Sequence, residues 1–398
     1  MDLEEAIGIL IEHTPKITRT EEVGLLDAVG RVLATDIVAT MDNPPFPKSP
    51  LDGYTFNSMG TVGATKERPA VFTIVGEECA GEYFKRALQP GEALRLMTGA
   101  RIPEGADCVV RQEDVVTSGD KLEVFSELKA FDNYCPIGED YTKGTLLIPK
   151  DTYLKGTHIG VLASLGLEKV LVYQKPLVVL ASTGDELVTP GEKLQPGQIY
   201  NSNEYTLAAR LRELGVEAQV LRHLPDDATK VANLLKAYQG RADLIITTGG
   251  VSVGKKDIMH EVLPLMAATK LFWKISLKPG SPVLCYTLGG TVGVALSGNP
   301  FAALTTFELM VRPVLAKLTG NEGLLPKKHK VVAESEFTKG KAGRRMLRAV
   351  VRGHKVFLPD NHKNGSLATA AGCNALLDVP EGHGSVKIGD KLTAWLLD

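Results

Sequence analysis

The chain has 398 residues, 44% of them hydrophobic and 23% charged. These are ordinary globular proportions, which exclude disordered and collagen-like classes; at roughly 100–200 residues per domain, two to four domains are expected. Lys and Arg total 45 against 47 Asp and Glu, a formal charge of −2, so nothing in the charge balance points to nucleic acid.

Five scattered cysteines with no C-x-x-C pair argue against a disulfide framework or a zinc site and suit a reducing cytoplasm. The N-terminus, Met1-Asp2-Leu3-Glu4-Glu5, is acidic where a secretory leader would be basic. No apolar run approaches the roughly 18 residues needed to span a bilayer, so no membrane association is expected.

In chain order, Leu3, Ala6, Ile7, Leu10 and Ile11 recur at helical spacing and predict an opening amphipathic helix. A second short helix is expected over 25–34. Asn43-Pro44-Pro45-Phe46-Pro47 must be a rigid extended connection, since consecutive prolines fit neither a helix interior nor a central strand. From residue 55 to 133, apolar runs at 71–75, 93–97, 108–112 and 122–125 are broken by Gly and Pro and predict a small β-rich domain. A helix over 158–165 should stop at Gly166.

Between 176 and 320, strand and helix alternate. Strands are predicted at 177–181, 216–221, 244–247 and 292–296. Helices are predicted over 204–214 with Asn203 as cap, over 228–238, and from Pro300 to 318 behind an Asn299 cap. This pattern defines a doubly wound α/β domain. Beyond Pro326, strands at 331–334, 346–351, 355–358, 375–379 and 391–396 predict a compact C-terminal β domain. The cluster Lys327-Lys328-His329-Lys330 reads as a solvated interdomain linker.

Three α/β strands end in glycine turns: Ser182-Thr183-Gly184-Asp185, Thr248-Gly249-Gly250 and Ser297-Gly298-Asn299-Pro300. Ligands of such sheets bind outside the carboxyl ends of the strands, where glycine allows close backbone approach and free amides attract anions. Asp185, Glu186, Asp226, Asp227 and Asp257 follow the same turns. Carboxylates beside a bound phosphate suit Mg²⁺, a hard cation that takes oxygen ligands. Lys278-Pro279-Gly280-Ser281-Pro282 adds a compact cation on a rigid turn.

These residues also carry a resemblance to the MoeA family of molybdopterin molybdenumtransferases, whose eukaryotic relatives include the C-terminal region of gephyrin. Pro44-Pro45-Phe46 with Leu51-Asp52-Gly53-Tyr54, Met97-Thr98-Gly99-Ala100 with Pro103-Glu104-Gly105-Ala106-Asp107, and Gly138-Glu139-Asp140 resemble its N-terminal motifs. Ser182-Thr183-Gly184-Asp185-Glu186-Leu187, Thr248-Gly249-Gly250-Val251-Ser252-Val253-Gly254 with Asp257, Lys278-Pro279-Gly280 and Ser297-Gly298-Asn299-Pro300 resemble its active-site motifs. Each motif is modest alone, but the ordered set spans nearly the whole chain.

The resemblance implies an elongated discontinuous N-terminal domain (1–52 and 134–175), an inserted β-rich domain (53–133), an α/β molybdopterin- and nucleotide-binding domain (176–326) and a C-terminal β domain (327–398). It implies a homodimer that brings Asp52, Thr98 and Asp140 near the Gly249 turn across the subunit interface. It further implies a Mg²⁺-dependent reaction in which adenylylated molybdopterin receives molybdenum from molybdate and AMP is released.

Catalytic roles would then fall to Asp52, Thr98, Asp140, Glu186, Asp226 and Asp257, with Glu186 and Asp257 on the metal. Thr183, Gly184, Gly249, Gly250, Ser252, Ser297, Gly298 and Asn299 would hold the nucleotide or phosphate. Lys278, Ser281, Ser366 and an arginine of the run 343–348, Arg348 among them, would complete the substrate contacts. The molybdopterin adenylyltransferase and recipient molybdoenzymes are the implied partners.

Departures accompany the match. Ser281 stands where many relatives have a second lysine, Lys48-Ser49-Pro50-Leu51 replaces Asn-Ser-Ala-Met, and Tyr134-Cys135 lie about where an arginine is common. Two other functions fit parts of this pattern. A molybdopterin adenylyltransferase usually carries Thr-Gly-Gly-Thr-Gly, whereas Val251 follows Gly250 here. A non-catalytic pterin-binding scaffold would not need the run of acidic residues.

Overall fold

The computed structural model describes residues 1–251, 258–338 and 343–397, apart from the His223 side chain. The chain forms two compact units: Met1–Glu22, Gly30–Ala34 and Leu171–Asp398 make the first, and Val23–Val29 and Thr35–Val170 the second.

The first unit is built on a six-stranded sheet. Its strands are β1 (Val178–Thr183), β2 (Ala218–Leu224), β3 (Leu244–Thr248), β4 (Thr269–Trp273), β5 (Leu284–Leu288) and β6 (Thr291–Leu296), in the order β2-β1-β3-β6-β5-β4. The first four are parallel, and β5 and β4 add an antiparallel edge. Every residue of β1, β3 and β6 is buried, as expected of parallel strands covered on both faces. Alternation decides which face each side chain serves. Val178, Leu180, Leu244, Ile246, Val292 and Val294 join one apolar cluster, and Val179, Ala181, Ile245 and Ala295 join the other.

The opening helix, Leu3–Glu12, is capped by the Asp2 carboxylate, which accepts from the Glu5 amide at 2.7 Å. Its Leu3, Ala6 and Leu10 stripe packs into the first of these clusters, so the helix belongs to the α/β unit. The helix after β1, Ser202–Glu213, is capped by Asn201 rather than Asn203. From Pro300 the chain runs as α-helix to Thr306, widens to a π-helix over Phe307–Val311, and resumes as Arg312–Thr319 before Gly320 stops it. The expected helix over 25–34 is absent. Residues 25–30 form turns ending in the left-handed Gly30, and Leu33 is buried by bridging to Val172.

The C-terminal strands close into a barrel. Arg344–Arg352 pairs Lys355–Phe357, which pairs Lys328–Ala333, then Lys391–Leu396, then Ala375–Val379, and finally Arg344–Arg352 again. Closure removes free edges. The basic cluster expected to be a linker is therefore partly barrel strand: Lys328 lies over the Trp395 ring at 4.2 Å and Lys330 donates to Thr393. Leu277–Lys278 extends the barrel by pairing parallel with Arg344 and Arg345.

The second unit carries another six-stranded sheet, ordered Cys108–Arg111, Gly53–Phe56, Glu92–Leu96, Ala70–Glu78, Lys121–Val124, Val115–Ser118. Gly53 is required there, because a Cβ would lie 1.9 Å from the Val110 carbonyl oxygen. Phe56 and Phe72 stack at 4.3 Å in its core. Ile37–Val38 pairs with Leu146–Ile148, and a helix spans Gly156–Ser164.

Beneath the α/β sheet, Glu308 of the π-helix is 1% exposed and meets Arg312 at 3.0 Å and Arg210 at 2.7 Å. Arg312 also donates to the Leu324 carbonyl, and Arg210 to that of Leu397. Removing the carboxylate strands the buried Arg312 guanidinium, at a cost of about 3–5 kcal/mol, whereas the partly exposed Arg210 keeps Glu213. Glu308→Ala is expected to lose that much stability in urea unfolding followed by tryptophan fluorescence; a loss below about 1 kcal/mol would contradict the role assigned to the network.

Candidate functional site

The order β2-β1-β3-β6 reverses direction at β1. The chain leaves β1 toward β2 on one side and returns to β3 on the other, which opens a crevice at the carboxyl ends of β1 and β3. The expected turns meet there. A Cβ on Gly249 would lie 2.6 Å from the Thr183 carbonyl oxygen and 2.9 Å from its Oγ1, and Gly249 sits at φ +92°. The Gly249 amide donates to the Leu296 carbonyl at 3.1 Å, and Gly298 lies against the Gly249 Cα. Gly250, at φ +65°, faces Thr183 Oγ1 and Ile258. Ser182 and Thr248 share a hydroxyl hydrogen bond of 2.9 Å under the turns.

Asn203 donates to the Gly298 carbonyl at 2.8 Å and so ties the start of its helix to the third turn. This contact was not readable from the sequence, where Asn203 resembled a cap. Ser297 is buried, with its Oγ accepting from the Asn299 amide. Asn299 occupies the N-cap position without a side-chain capping bond.

The Glu186 carboxylate folds over Gly184, whose Cβ would lie 2.8 Å from Oε2. Asp185 accepts from the Asp226 amide at 3.1 Å, which joins the turn after β1 to the turn after β2. Hard oxygen donors thus converge on one edge of the crevice. They fit Mg²⁺, which is commonly held by one or two carboxylates together with substrate phosphates. Among the described residues no group of three His, Cys, Asp or Glu could hold a metal alone. Ser252 and Asp257, named from the motifs, lie outside the described residues.

A second feature lies in the same unit. A cleft of about 890 Å³ is lined by Lys278, Ser281, Arg345, Glu336, Phe337, Asp360 and His362, among others. Lys278 and Arg345 are register partners of the parallel pairing, which sets two cations side by side. Ser281 Oγ donates to the Ile275 carbonyl at 2.8 Å. Of the three arginines in the run 343–348, Arg344 is held by both oxygens of Asp378 and by Glu4, which raises its pKa.

Arg348 has no exposed surface. It donates to the carbonyls of Asn361, Lys363 and Ser366 and stacks 3.8 Å over Phe301. Burial lowers its pKa. The structure therefore places Arg348 differently from the expectation: its two terminal nitrogens donate to carbonyls of the 361–366 loop, which it clamps, and Arg345 is the arginine of the run that lines the cleft. Ser366 is not among the lining residues, and its hydroxyl is engaged by Asn361 and Thr369.

In the second unit, Asp52 and Thr98 form a pair. The Thr98 amide and hydroxyl both donate to the same Asp52 oxygen at 2.7 Å. These two donors hold the Asp52 carboxyl below its ordinary range. Asp140 accepts from the Asn43 side chain at 3.0 Å and belongs to the Asn43–Tyr141 bridge. Cys135 is buried, and its thiol donates to Glu139 at 2.7 Å.

A sheet whose parallel strands gather three glycine turns at their carboxyl ends, in one unit with a closed barrel, defines a multidomain α/β protein. Residues 1–166 match the MoeA N-terminal region (domain I and II), and residues 180–317 match the probable molybdopterin binding domain. The chain is 32% identical over 394 residues to a molybdopterin molybdenumtransferase of Staphylococcus epidermidis, covering 98% of this chain and 94% of that one. It is 38% identical over 323 residues to one of Haemophilus influenzae, covering 81% and 78%. The crystal structure of the molybdopterin biosynthesis MoeA protein from Pyrococcus horikoshii superposes with a TM-score of 0.88 at 28% identity, over 100% of this chain and 99% of that one. The chain belongs to the MoeA family of molybdopterin molybdenumtransferases.

The Asp52–Thr98 pair yields a pH test. Two donors to the carboxylate favour its charged form, so the stabilisation is present above the ordinary carboxylate pKa and is lost as pH falls through the depressed value. Thr98→Val removes the hydroxyl donor. Carboxyl NMR titration should show the Asp52 pKa rising toward the ordinary range; an unchanged midpoint would show that Thr98 Oγ1 does not act on it.

Proposed function

We propose that this chain inserts molybdenum from molybdate into adenylylated molybdopterin and releases AMP, as a Mg²⁺-dependent step of molybdenum cofactor synthesis. The observation that carries the reading is the convergence of Thr183, Gly249 and Gly298 at the switch point, in a unit whose cleft pairs Lys278 with Arg345.

The backbone and hydroxyls of Thr183, Gly184, Gly249, Gly250, Ser252, Ser297, Gly298 and Asn299 hold the phosphates, where glycine lets the backbone approach closely and a helix start favours anions. Glu186 and Asp257 would hold Mg²⁺, which would supply charge neutralisation at the phosphoanhydride. They also orient the water that adds to phosphorus as AMP departs, and the water's proton passes to a carboxylate. Asp226 positions the Asp185–Glu186 turn through its backbone. Lys278, Ser281 and Arg345 bind molybdate, a tetrahedral dianion. The two sulfur donors belong to the pterin; as they bond to the metal, their two thiol protons leave with one displaced oxide as water.

In the proposed assembly the chain is a homodimer with the four-domain division given above. Asp52, Thr98 and Asp140 of one copy complete the turns of the other. The molybdopterin adenylyltransferase would supply the substrate and molybdoenzymes would receive the product, in a reducing cytoplasm that suits the five free cysteines.

AMP release from purified protein, adenylylated molybdopterin, molybdate and Mg²⁺ is the direct test. Glu186→Ala should lower its rate by about hundredfold or more, the usual scale for a catalytic carboxylate, with an unchanged far-ultraviolet circular dichroism spectrum. Full activity would remove Glu186 from the site. Mixing Asp52→Ala with Glu186→Ala protein should restore part of the activity, because exchange of subunits rebuilds one composite site per dimer. No recovery after proven subunit exchange would overturn the shared site.

A further inference from the structure

The charge of the chain is unevenly divided. Residues 327–398 hold 13 Lys and Arg against seven Asp and Glu, whereas residues 1–326 hold 32 against 40. Strand register shows where the basic excess gathers. Alternation along Lys328–Ala333 turns Lys328, Lys330 and Val332 outward, with Val331 and Ala333 in the barrel core. Val332 stands directly opposite Lys391 on one neighbouring strand and Lys355 on the other, and Lys355 stands opposite Arg352 on the next. Lys391, Lys355 and Arg352 therefore form one row across four strands, about 14 Å long at the usual spacing of about 4.8 Å. Lys330 and Lys328 extend the face along their own strand. All five cations are exposed.

Two ordinary reasons for such a face fail. Outward lysines blunt the free edges of open sheets, but this barrel is closed and each of these strands is paired on both sides. Mutual ion pairing is the other reason, and most of these cations have neutral partners instead. Lys330 donates to the Thr393 hydroxyl at 3.0 Å, Lys328 lies over the Trp395 ring, and Arg352 lies 5.7 Å from the Phe357 ring centre. Such partners orient the cations without cancelling their charge. Two carboxylates border the face: Glu334 takes Lys355 at 2.8 Å, and Asp390 is held by His383 and the Lys387 amide. The row also sets Arg352 opposite Lys355, a like-charge pair that costs a sheet stability.

We propose that this outer face of the barrel docks a carboxylate-rich segment of a partner protein. Charge complementarity names the occupant, and five fixed cations with little internal compensation supply the attraction. Nucleic acid fits the face less well. The rings that could stack on bases, Trp395 and Phe357, are covered by Lys328 and Arg352, and a long polyanion would also meet the acidic remainder of the chain. None of the five residues lines the Lys278 cleft, so docking here stands apart from the proposed chemistry and does not depend on it.

The test uses the full chain and two fluorescein-labelled probes read by anisotropy: a short peptide that alternates Glu and Ser, and an oligothymidylate of equal length. The peptide should bind, and its affinity should fall as salt rises and screens the exposed charges. The combined change Lys330→Gln, Lys355→Gln and Lys391→Gln should weaken peptide binding about tenfold, the summed scale of three exposed ion pairs. The same neutralisation of the exposed Lys66, Lys85 and Lys129 should leave peptide binding essentially unchanged. Arg352→Gln should weaken the peptide while the melting temperature stays level or rises, because it relieves the like-charge pair. The assignment is overturned if the peptide does not bind at low salt, or if the two triple variants lose affinity equally. It is equally overturned if Arg352→Gln melts lower yet binds as wild type does, which would make that residue structural. Tighter binding of the oligothymidylate than of the peptide would overturn the protein partner and assign the face to nucleic acid.

Discussion

The site depends on one close approach. The turn after β3 passes so near the end of β1 that Gly249 admits no side chain: the Thr183 carbonyl occupies the space a Cβ would need. Parallel pairing in register, Ser182 opposite Thr248, brings both strand ends to the same level. The third turn closes on the second through the Gly249 amide and the Leu296 carbonyl. The crevice therefore follows from sheet topology, and the glycines are what allow its floor to be made of backbone.

A second constraint joins the α/β sheet to the barrel. Leu277–Lys278 leaves the edge of one and pairs with Arg344–Arg345 of the other. Two cations that would otherwise repel are held side by side by backbone hydrogen bonds. The two neighbouring arginines are engaged elsewhere: Asp378 and Glu4 take Arg344, and three loop carbonyls take Arg348. Arg345 alone of the three lines the cleft. Arg344 and Arg348 thus give up ligand contact to hold the walls, an arrangement in which substituting either should disturb the cleft without removing a ligand contact.

The carboxylates divide in a similar way. Glu186 and Asp185 stand at the crevice of the first unit, and Asp52 is charged and oriented by Thr98 in the second. In the proposed dimer these are two halves of one site, each pre-set by its own hydrogen bonds before the halves meet. Such preorganisation lowers the cost of assembling charge around a phosphate at the moment of reaction.

The sequence by itself determined the doubly wound unit, because continuous apolar runs that end in glycine, spaced by helical segments, are local signals that burial on both faces of a parallel sheet makes unavoidable. It also marked the three turns and the acidic residues beside them, since each motif is contiguous. It misread 25–34 as helix, where the left-handed Gly30 and the burial of Leu33 prevail over local propensity. It read 327–330 as linker, although barrel closure recruits Lys328 into a strand. Only the tertiary structure decided which arginine faces the cleft, that Asn203 holds Gly298, and that Phe337, Asp360 and His362 share a wall with Lys278. Those relations join residues as far as 95 positions apart. They depend on strand register and barrel closure, which no run of neighbouring residues encodes.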